Sequence, residues 1–359
     1  MLLLSRSAPA RPAGAREPRR PHARSVASLL AAAAVACVTL SACSTSAPAA
    51  GHASDAAAPR KVSVVLDWTP NTNHSGLYVA QAEGYFAARG LDVTIVEPGD
   101  VSGLDLVAAG KADLAYSVAE SLVPARQAGA DVVSVATVVQ HNTSSLISLA
   151  GSGITRPRDL EGHSYGTYGS DMEKALIRAL VACDGGDPDK VTLAPLGSDD
   201  FRIGLTQHQF DTAWVFDGWD TIRLRDVDGL DVSTIAFADH TDCIPDWYTP
   251  LLATSRTTLD DDPQLVRDFL AALSEGYQKA MADPRAAATD LLAAAPELDH
   301  DLVERSADYL ATRYTDDPAR WGRQDAAVWD GFVGFLEEHH LIEPGFDTSE
   351  AWTDDYLPG

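Results

Sequence analysis

The chain has 359 residues, long enough for two domains, and its 45% apolar content can fill two cores. Its net charge is −25, and the part after residue 42 carries 21 basic against 51 acidic residues, or −30. A surface of that sign repels nucleic acid and anionic lipid and disfavours a polyanionic ligand.

Six arginines precede the apolar run Val26 to Leu40, which is short for a membrane-spanning helix and suits the apolar core of an export signal. The run ends in Leu40-Ser41-Ala42-Cys43, the small-residue pattern of a bacterial lipoprotein cleavage site. Residues 1–42 therefore read as a signal peptide, with Cys43 as the lipid-bearing start of the mature chain on the outer face of the cytoplasmic membrane. Arg19-Arg20 leaves both the general and the twin-arginine export routes open. Residues 43–60, mostly Ala, Ser, Pro and Gly, cannot bury a core and read as a flexible tether.

From Lys61 strands and helices alternate. KVSVVLDW, the helix Leu77 to Arg89, LDVTIVEP, the helix Ser102 to Ala109, ADLAYSV, the helix Glu120 to Gln127 and DVVSVATVV form consecutive βα units of one doubly wound lobe. The strand SLISLA ends that lobe at a Gly-Ser-Gly turn, and the pattern restarts: helix Asp171 to Ala182, strand KVTLAPL, helix Asp200 to Gln207, strand DTAWVF, a helix near Asp220 to Arg225 and strand LDVSTIAF. WYTPLLATS crosses back to the first lobe. Four helices follow, Pro263 to Met281, Pro284 to Ala294, Asp301 to Arg313 and Gln324 to His339, and are expected on the outside of the first lobe. The partition is 61–150 plus 249–359 for one lobe and 151–248 for the other. Two lobes joined by two crossings make a hinge.

Asp67, Trp68, Asn71, Asn73 and His74 crowd the turn between the first strand and its helix, and open α/β sheets bind ligands at that crevice. No G-x-S-x-G elbow, Walker loop, H-E-x-x-H or cysteine cluster is present, so no catalytic residue and no metal ligand is expected. Cys183 and Cys243 are the only cysteines beyond Cys43, and a disulfide between them is permitted in an exported protein.

LDWTPNTNHSGLYVAQAEGYF followed by GLDV, with GKADLAYSVAES, GSGITRPRDLEG, DWYTPLLATS and DPQLVRDFLAAL, resembles the thiamine-precursor (hydroxymethylpyrimidine-type) periplasmic substrate-binding family of ABC importers, related in fold to the fungal pyrimidine synthases. The run DWTPNTNH is specific to that family; the other segments are typical of the wider fold. The resemblance implies a type II periplasmic-binding-protein fold: two-lobed, doubly wound α/β, with a hinge and C-terminal helices. It also implies a monomer without a cofactor that delivers a pyrimidine to permease and ATPase subunits and is held to the membrane only by its lipid anchor. The fungal enzymes carry a Lys and a His four residues apart where this chain has Ser117 and Ser121, so the resemblance is to the binding scaffold and not to the chemistry.

A flat aminopyrimidine needs aromatic faces and an edge of acceptors and donors. The aromatic candidates are Trp68, Trp214, Phe216, Trp219 and Tyr248, each near a strand end. Asp67 and Glu173 can accept from an exocyclic amino group, although Glu173 in the first turn of a helix equally suits a cap. Asn71 and His74 either touch the ligand or hold their loop. Tyr165, Gly166 and Tyr168 precede a helix as a small polar cradle, and Ser117, Glu120 and Asp246 complete the set. The rival readings are a riboflavin-like or sulfonate ligand such as taurine, a pyrimidine-synthase-like enzyme, and a lipoprotein that senses without transport.

Overall fold

The computed structural model describes residues 58–196 and 201–359. The export signal, Cys43, the tether up to residue 57 and the start of the helix expected from Asp200 lie outside them.

The first half builds β1 (Arg60–Val65), α1 (Ser75–Ala82), α2 (Tyr85–Ala88), β2 (Leu91–Val96), α3 (Gly103–Ala108), β3 (Leu114–Ser117), α4 (Ala119–Gln127) and β4 (Val133–Thr137). β5 (Ser144–Leu149), β6 (Ser164–Thr167), α5 (Asp171–Cys183), β7 (Thr192–Pro195), α6 (Phe201–Thr206), β8 (Thr212–Phe216) and β9 (Val232–Ala236) follow. The chain closes with β10 (Leu251–Thr254), α7 (Arg256–Asp261), α8 (Pro263–Ala282), α9 (Pro284–Ala294), α10 (His300–Leu310) and α11 (Ala326–Glu338).

Two five-stranded sheets result, ordered β2-β1-β3-β10-β4 and β7-β6-β8-β5-β9. In the first, β1 to β4 come from one stretch of chain and the fifth strand, β10, arrives by a crossing and runs antiparallel between β3 and β4; in the second, all five strands follow one another in the chain, with β5 antiparallel between β8 and β9. SLISLA thus belongs to the second sheet and does not end the first lobe. Its two faces are both buried, Ile147 among Leu205, Phe210, Ala213, Val215 and Leu224 and Leu146 in the larger core on the other side, and the first crossing falls at residues 138–143. The second occupies residues 237–250, and there Cys243 is disulfide-bonded to Cys183 at the end of α5.

The expected helix Leu77 to Arg89 is broken in two at Gly84, whose φ of 75° only glycine adopts readily. α1 rests on α8 through two glycines: a Cβ on Gly276 would stand 2.0 Å from the Gly76 carbonyl oxygen. α8 earns its place by helical spacing, with Leu265, Val266, Phe269, Leu270, Leu273 and Tyr277 buried and Asp262 accepting from the Leu265 N–H as N-cap. The C-terminal tail covers the outer edge of β4, where Ser134 N–H donates to Ala351 O (2.8 Å) and Thr353 N–H to Ser134 O (2.9 Å).

Not every C-terminal helix keeps to the first lobe. α10 also touches the second, because the residues after β8 form π-helical turns, Asp217–Thr221 and Arg223–Val227, in place of the ordinary helix expected near Asp220. Trp219 of that segment packs with Tyr78, Leu291, Val303 and Ala307, and Ser306 on α10 donates to Gly218 O while its Oγ accepts from the Thr72 hydroxyl. A hydrogen-bonded relay therefore runs from the loop after β1, through α10, to the second lobe.

Candidate functional site

β1 delivers Asp67 and Trp68 at its carboxyl end. The loop beyond is fixed from behind: Tyr277 and Tyr314 hydroxyls donate to the carbonyls of Asn73 and Thr72, and Tyr116 OH donates to Tyr277 Oη (3.0 Å). Asn71 spends both ends of its amide locally, accepting from Asn73 N–H (2.8 Å) and donating to Thr69 O (3.0 Å). His74 is fully buried, edge-on to Tyr116. Its Nδ1 accepts from Asn71 N–H (3.3 Å), which puts the proton on Nε2, and that N–H donates to Asp67 Oδ1 at 2.7 Å. His74 thus orients a carboxylate, and Trp68 beside it is 55% exposed.

Ser117 ends β3, and Glu120 lies in the first turn of α4. Burial pushes the Glu120 carboxyl up to about 7 against the hydrogen bond it accepts from Trp247 Nε1 (3.1 Å), and the charge of Asp67 adds to the rise. Trp247, on the second crossing, meets Trp214 of β8 edge-to-face with centroids 6.0 Å apart. Trp214 in turn lies 6.4 Å from Phe216. Glu120, Trp247 and Trp214 form a continuous run from the first lobe to the second, and Trp214 Nε1–H is buried with no partner among the described residues.

The second-lobe cradle is built differently from its sequence reading. Glu173 is 2% exposed, and its carboxylate accepts from Tyr165 OH (2.8 Å), Thr167 Oγ1 (3.2 Å), Tyr168 N–H (3.1 Å), Ser170 N–H (3.1 Å) and Ser170 Oγ (3.2 Å). Ser170 Oγ accepts from Glu173 N–H in return, closing a capping box. The acceptor proposed for a ligand is thus occupied by its own loop. Tyr165 is buried with its hydroxyl committed to Glu173, and Gly166 is a packing glycine, since a Cβ there would stand 2.8 Å from the Phe210 ring. Tyr168 is 56% exposed.

Two more candidates serve the crossing. Tyr248 is buried and its Oη accepts from Asp325 N–H (2.7 Å). Asp246 Oδ1 accepts from Asn142 and Trp247 N–H (both 2.9 Å), and Oδ2 pairs with His141 Nδ1 at 2.6 Å. That bond, helped by Asp316, raises His141 to about 9 despite partial burial. In Asp246→Asn the two backbone bonds to Oδ1 survive, and a proton NMR titration of His141 is expected to move from about 9 back toward the ordinary imidazole range near 6.5. An unmoved titration would mean that Asp316 alone sustains it.

Two five-stranded α/β sheets joined by two crossings, the first completed by a strand that returns after the second crossing, define the type II periplasmic-binding-protein fold. Residues 71–287 match the family described as NMT1/THI5 like, and the chain belongs to it. It is 28% identical over 311 residues to the formylaminopyrimidine-binding protein of Halalkalibacterium halodurans, covering 84% of this chain and 92% of that one. It is 27% identical over 306 residues to a 4-amino-5-hydroxymethyl-2-methylpyrimidine phosphate synthase of Saccharomyces cerevisiae, covering 83% and 88%. The periplasmic aliphatic sulphonate binding protein SsuA of Escherichia coli superposes with a TM-score of 0.65 at 18% identity, over 84% of this chain and 94% of that chain, a likeness of fold.

Proposed function

We propose that this protein is the solute-binding component of an ABC importer and captures a pyrimidine thiamine precursor, hydroxymethylpyrimidine or an amino or formylamino analogue, between its lobes. The observation that carries the reading is the Asp67 carboxylate, oriented by a buried His74 and set beside the exposed Trp68. An exocyclic amino group donating to Asp67 while the ring lies on Trp68 uses both. Ser117 and Glu120 extend the first-lobe wall; Trp214, Phe216 and Tyr168 form the facing one. Closure then stabilises the complex by the difference in affinity between closed and open states.

The relative of H. halodurans named for formylaminopyrimidine binding supports this ligand class. The name of the yeast relative supports the same pyrimidine on the same scaffold, with synthesis in place of capture. Ser117 and Ser121 stand where the fungal enzymes carry Lys and His, which favours binding without chemistry. Export, lipidation at Cys43 and anchoring by the tether of residues 43–60 complete the proposal, and no helix among the described residues is long and apolar enough to cross a membrane.

The test is a titration of the mature chain with hydroxymethylpyrimidine, its amino and formylamino analogues, thiamine, riboflavin and taurine, followed by tryptophan emission. One pyrimidine is expected to bind best, and Trp68→Ala to weaken it about tenfold or more with the thermal transition unchanged. Saturation by taurine or riboflavin alone would keep the importer and overturn the ligand.

A further inference from the structure

A pocket of about 320 Å³ lies at the first crossing, apart from every residue assigned to the pyrimidine. Its walls come from the first crossing and the start of β5 (His141, Asn142, Ser144), from Asp217 after β8, from the end of β9, and from Arg313 and Asp316 beyond α10. Both lobes therefore contribute.

Its hydrogen-bonding capacity is unevenly spent. Asn142 is 4% exposed; its Oδ1 accepts from Ser144 N–H (2.8 Å), which fixes the amide so that Nδ2 is a donor, and that Nδ2 is buried without a partner among the described residues. Ser144 is 1% exposed and its Oγ is likewise buried with no partner among the described residues. Arg313 lies 3.7 Å over the Tyr309 ring and donates through Nη1 to Tyr309 O (2.8 Å) and Thr312 Oγ1 (3.2 Å), but makes no ion pair among the described residues. The acidic groups are already engaged. Asp217 accepts from Ser145 Oγ (2.6 Å) and Thr221 Oγ1 (2.7 Å), and Asp316 faces His141 Nε2 at 3.3 Å. What the pocket has left to offer is a buried amide donor, a buried hydroxyl that can donate, and a guanidinium without an ion pair among the described residues whose charge is felt by Asp217.

We infer that this pocket is a second ligand site, which takes the oxyanion head of a small organic monoanion, a carboxylate, against Asn142 Nδ2, Ser144 Oγ and Arg313. Buried donors left unmade are expensive, so an acceptor there is favoured. A charged guanidinium beside them makes an anionic acceptor better than a neutral one. Asp217 and Asp316 in the same wall oppose a dianion by like-charge repulsion. An occupant touches the crossing and both lobes, so it can couple to their movement in a way that a ligand confined to one lobe cannot.

The experiment is calorimetric titration of the mature chain with sodium acetate, butyrate and benzoate, with methanesulfonate, sulfate and phosphate as the other arms. Saturable binding of a carboxylate is expected, weakened about tenfold or more in Arg313→Gln and in Asn142→Asp. The second variant keeps the oxygen that accepts from Ser144 N–H and exchanges the donor for a negative charge, so it tests the contact and not the fold. Trp68→Ala must leave the binding unchanged, which separates this site from the pyrimidine reading. Preference for methanesulfonate would retain the monoanion site and replace the carboxylate. Binding only of sulfate or phosphate, no saturable binding at all, or a loss shared with Trp68→Ala would overturn it.

Discussion

Glu173→Ala is expected to lower the unfolding free energy by about 3–5 kcal/mol, read from the midpoint of a denaturant transition at unchanged slope. The size follows from what the carboxylate holds. Five donors from Tyr165, Thr167, Tyr168 and Ser170 converge on it at 2.8–3.2 Å in a site almost closed to water. Truncation strips all of them at once. Glu173→Gln keeps one oxygen for the Tyr165 hydroxyl but turns an N–H₂ group toward donors of the loop, so its cost should fall between zero and that of alanine. A structural role requires stability and ligand binding to fall together in this series. Full stability in Glu173→Gln with lost pyrimidine binding would instead return Glu173 to the ligand.

Glu120→Gln is expected to act in the opposite direction, with an effect that grows as pH rises from about 4.5 and is complete above about 7. Burial raises the folded carboxyl from its ordinary 4.5 to about 7, so the folded protein holds a proton that the unfolded chain has released. The resulting contribution is present in full below about pH 4.5 and is lost as pH rises to about 7. Glutamine still accepts from Trp247 Nε1, carries no charge to desolvate and does not repel Asp67. Above pH 7 the variant should therefore be more stable by about 2–3 kcal/mol, with the two proteins converging near pH 4.5. Asp220, pushed by burial to about 6, gives a slope of the same sign in both and so does not obscure the difference. Equal stability at all pH values would show that Glu120 is well solvated when ionised.

Both residues show how far the sequence reaches. Ser170-x-x-Glu173 carries its capping box in plain spacing, so the structural alternative for Glu173 was readable beside the ligand-binding one; nothing local says that three further donors converge on it. Glu120 was readable as a polar residue after a strand, whereas Trp247 as its partner depends on a contact across 127 residues. The alternation of strands and helices was legible because Val and Leu runs and helix caps are local signals. The sheet to which β5 belongs was not: SLISLA has an apolar face that suits either, and its pairing is decided by β8 and β9 far downstream. The break at Gly84 and the π-helical turns after β8 were missed for a related reason, since one glycine or one extra residue per turn hardly alters apolar periodicity. DWTPNTNH announced the carboxylate, the imidazole and the exposed indole together. Asn142 and Ser144 gave no such sign, because an unspent hydrogen bond becomes visible only when the surroundings are known.

The relay from Thr72 through Ser306 to Gly218 bears on how the halves move. Two bodies joined by a pair of chain segments can swing about the line between those segments, and nothing in the segments sets where the swing stops. A third attachment lies on α10, where the Thr72 hydroxyl donates to Ser306 Oγ and the Ser306 hydroxyl donates to Gly218 O. Separation there cannot proceed by stretching, since a hydrogen bond fades within a fraction of an ångström. Any separation of the halves at this point breaks both hydrogen bonds and draws the indole of Trp219 from the apolar socket beside them. The free energy of those contacts therefore counts in the difference between closed and open states on which a ligand would act.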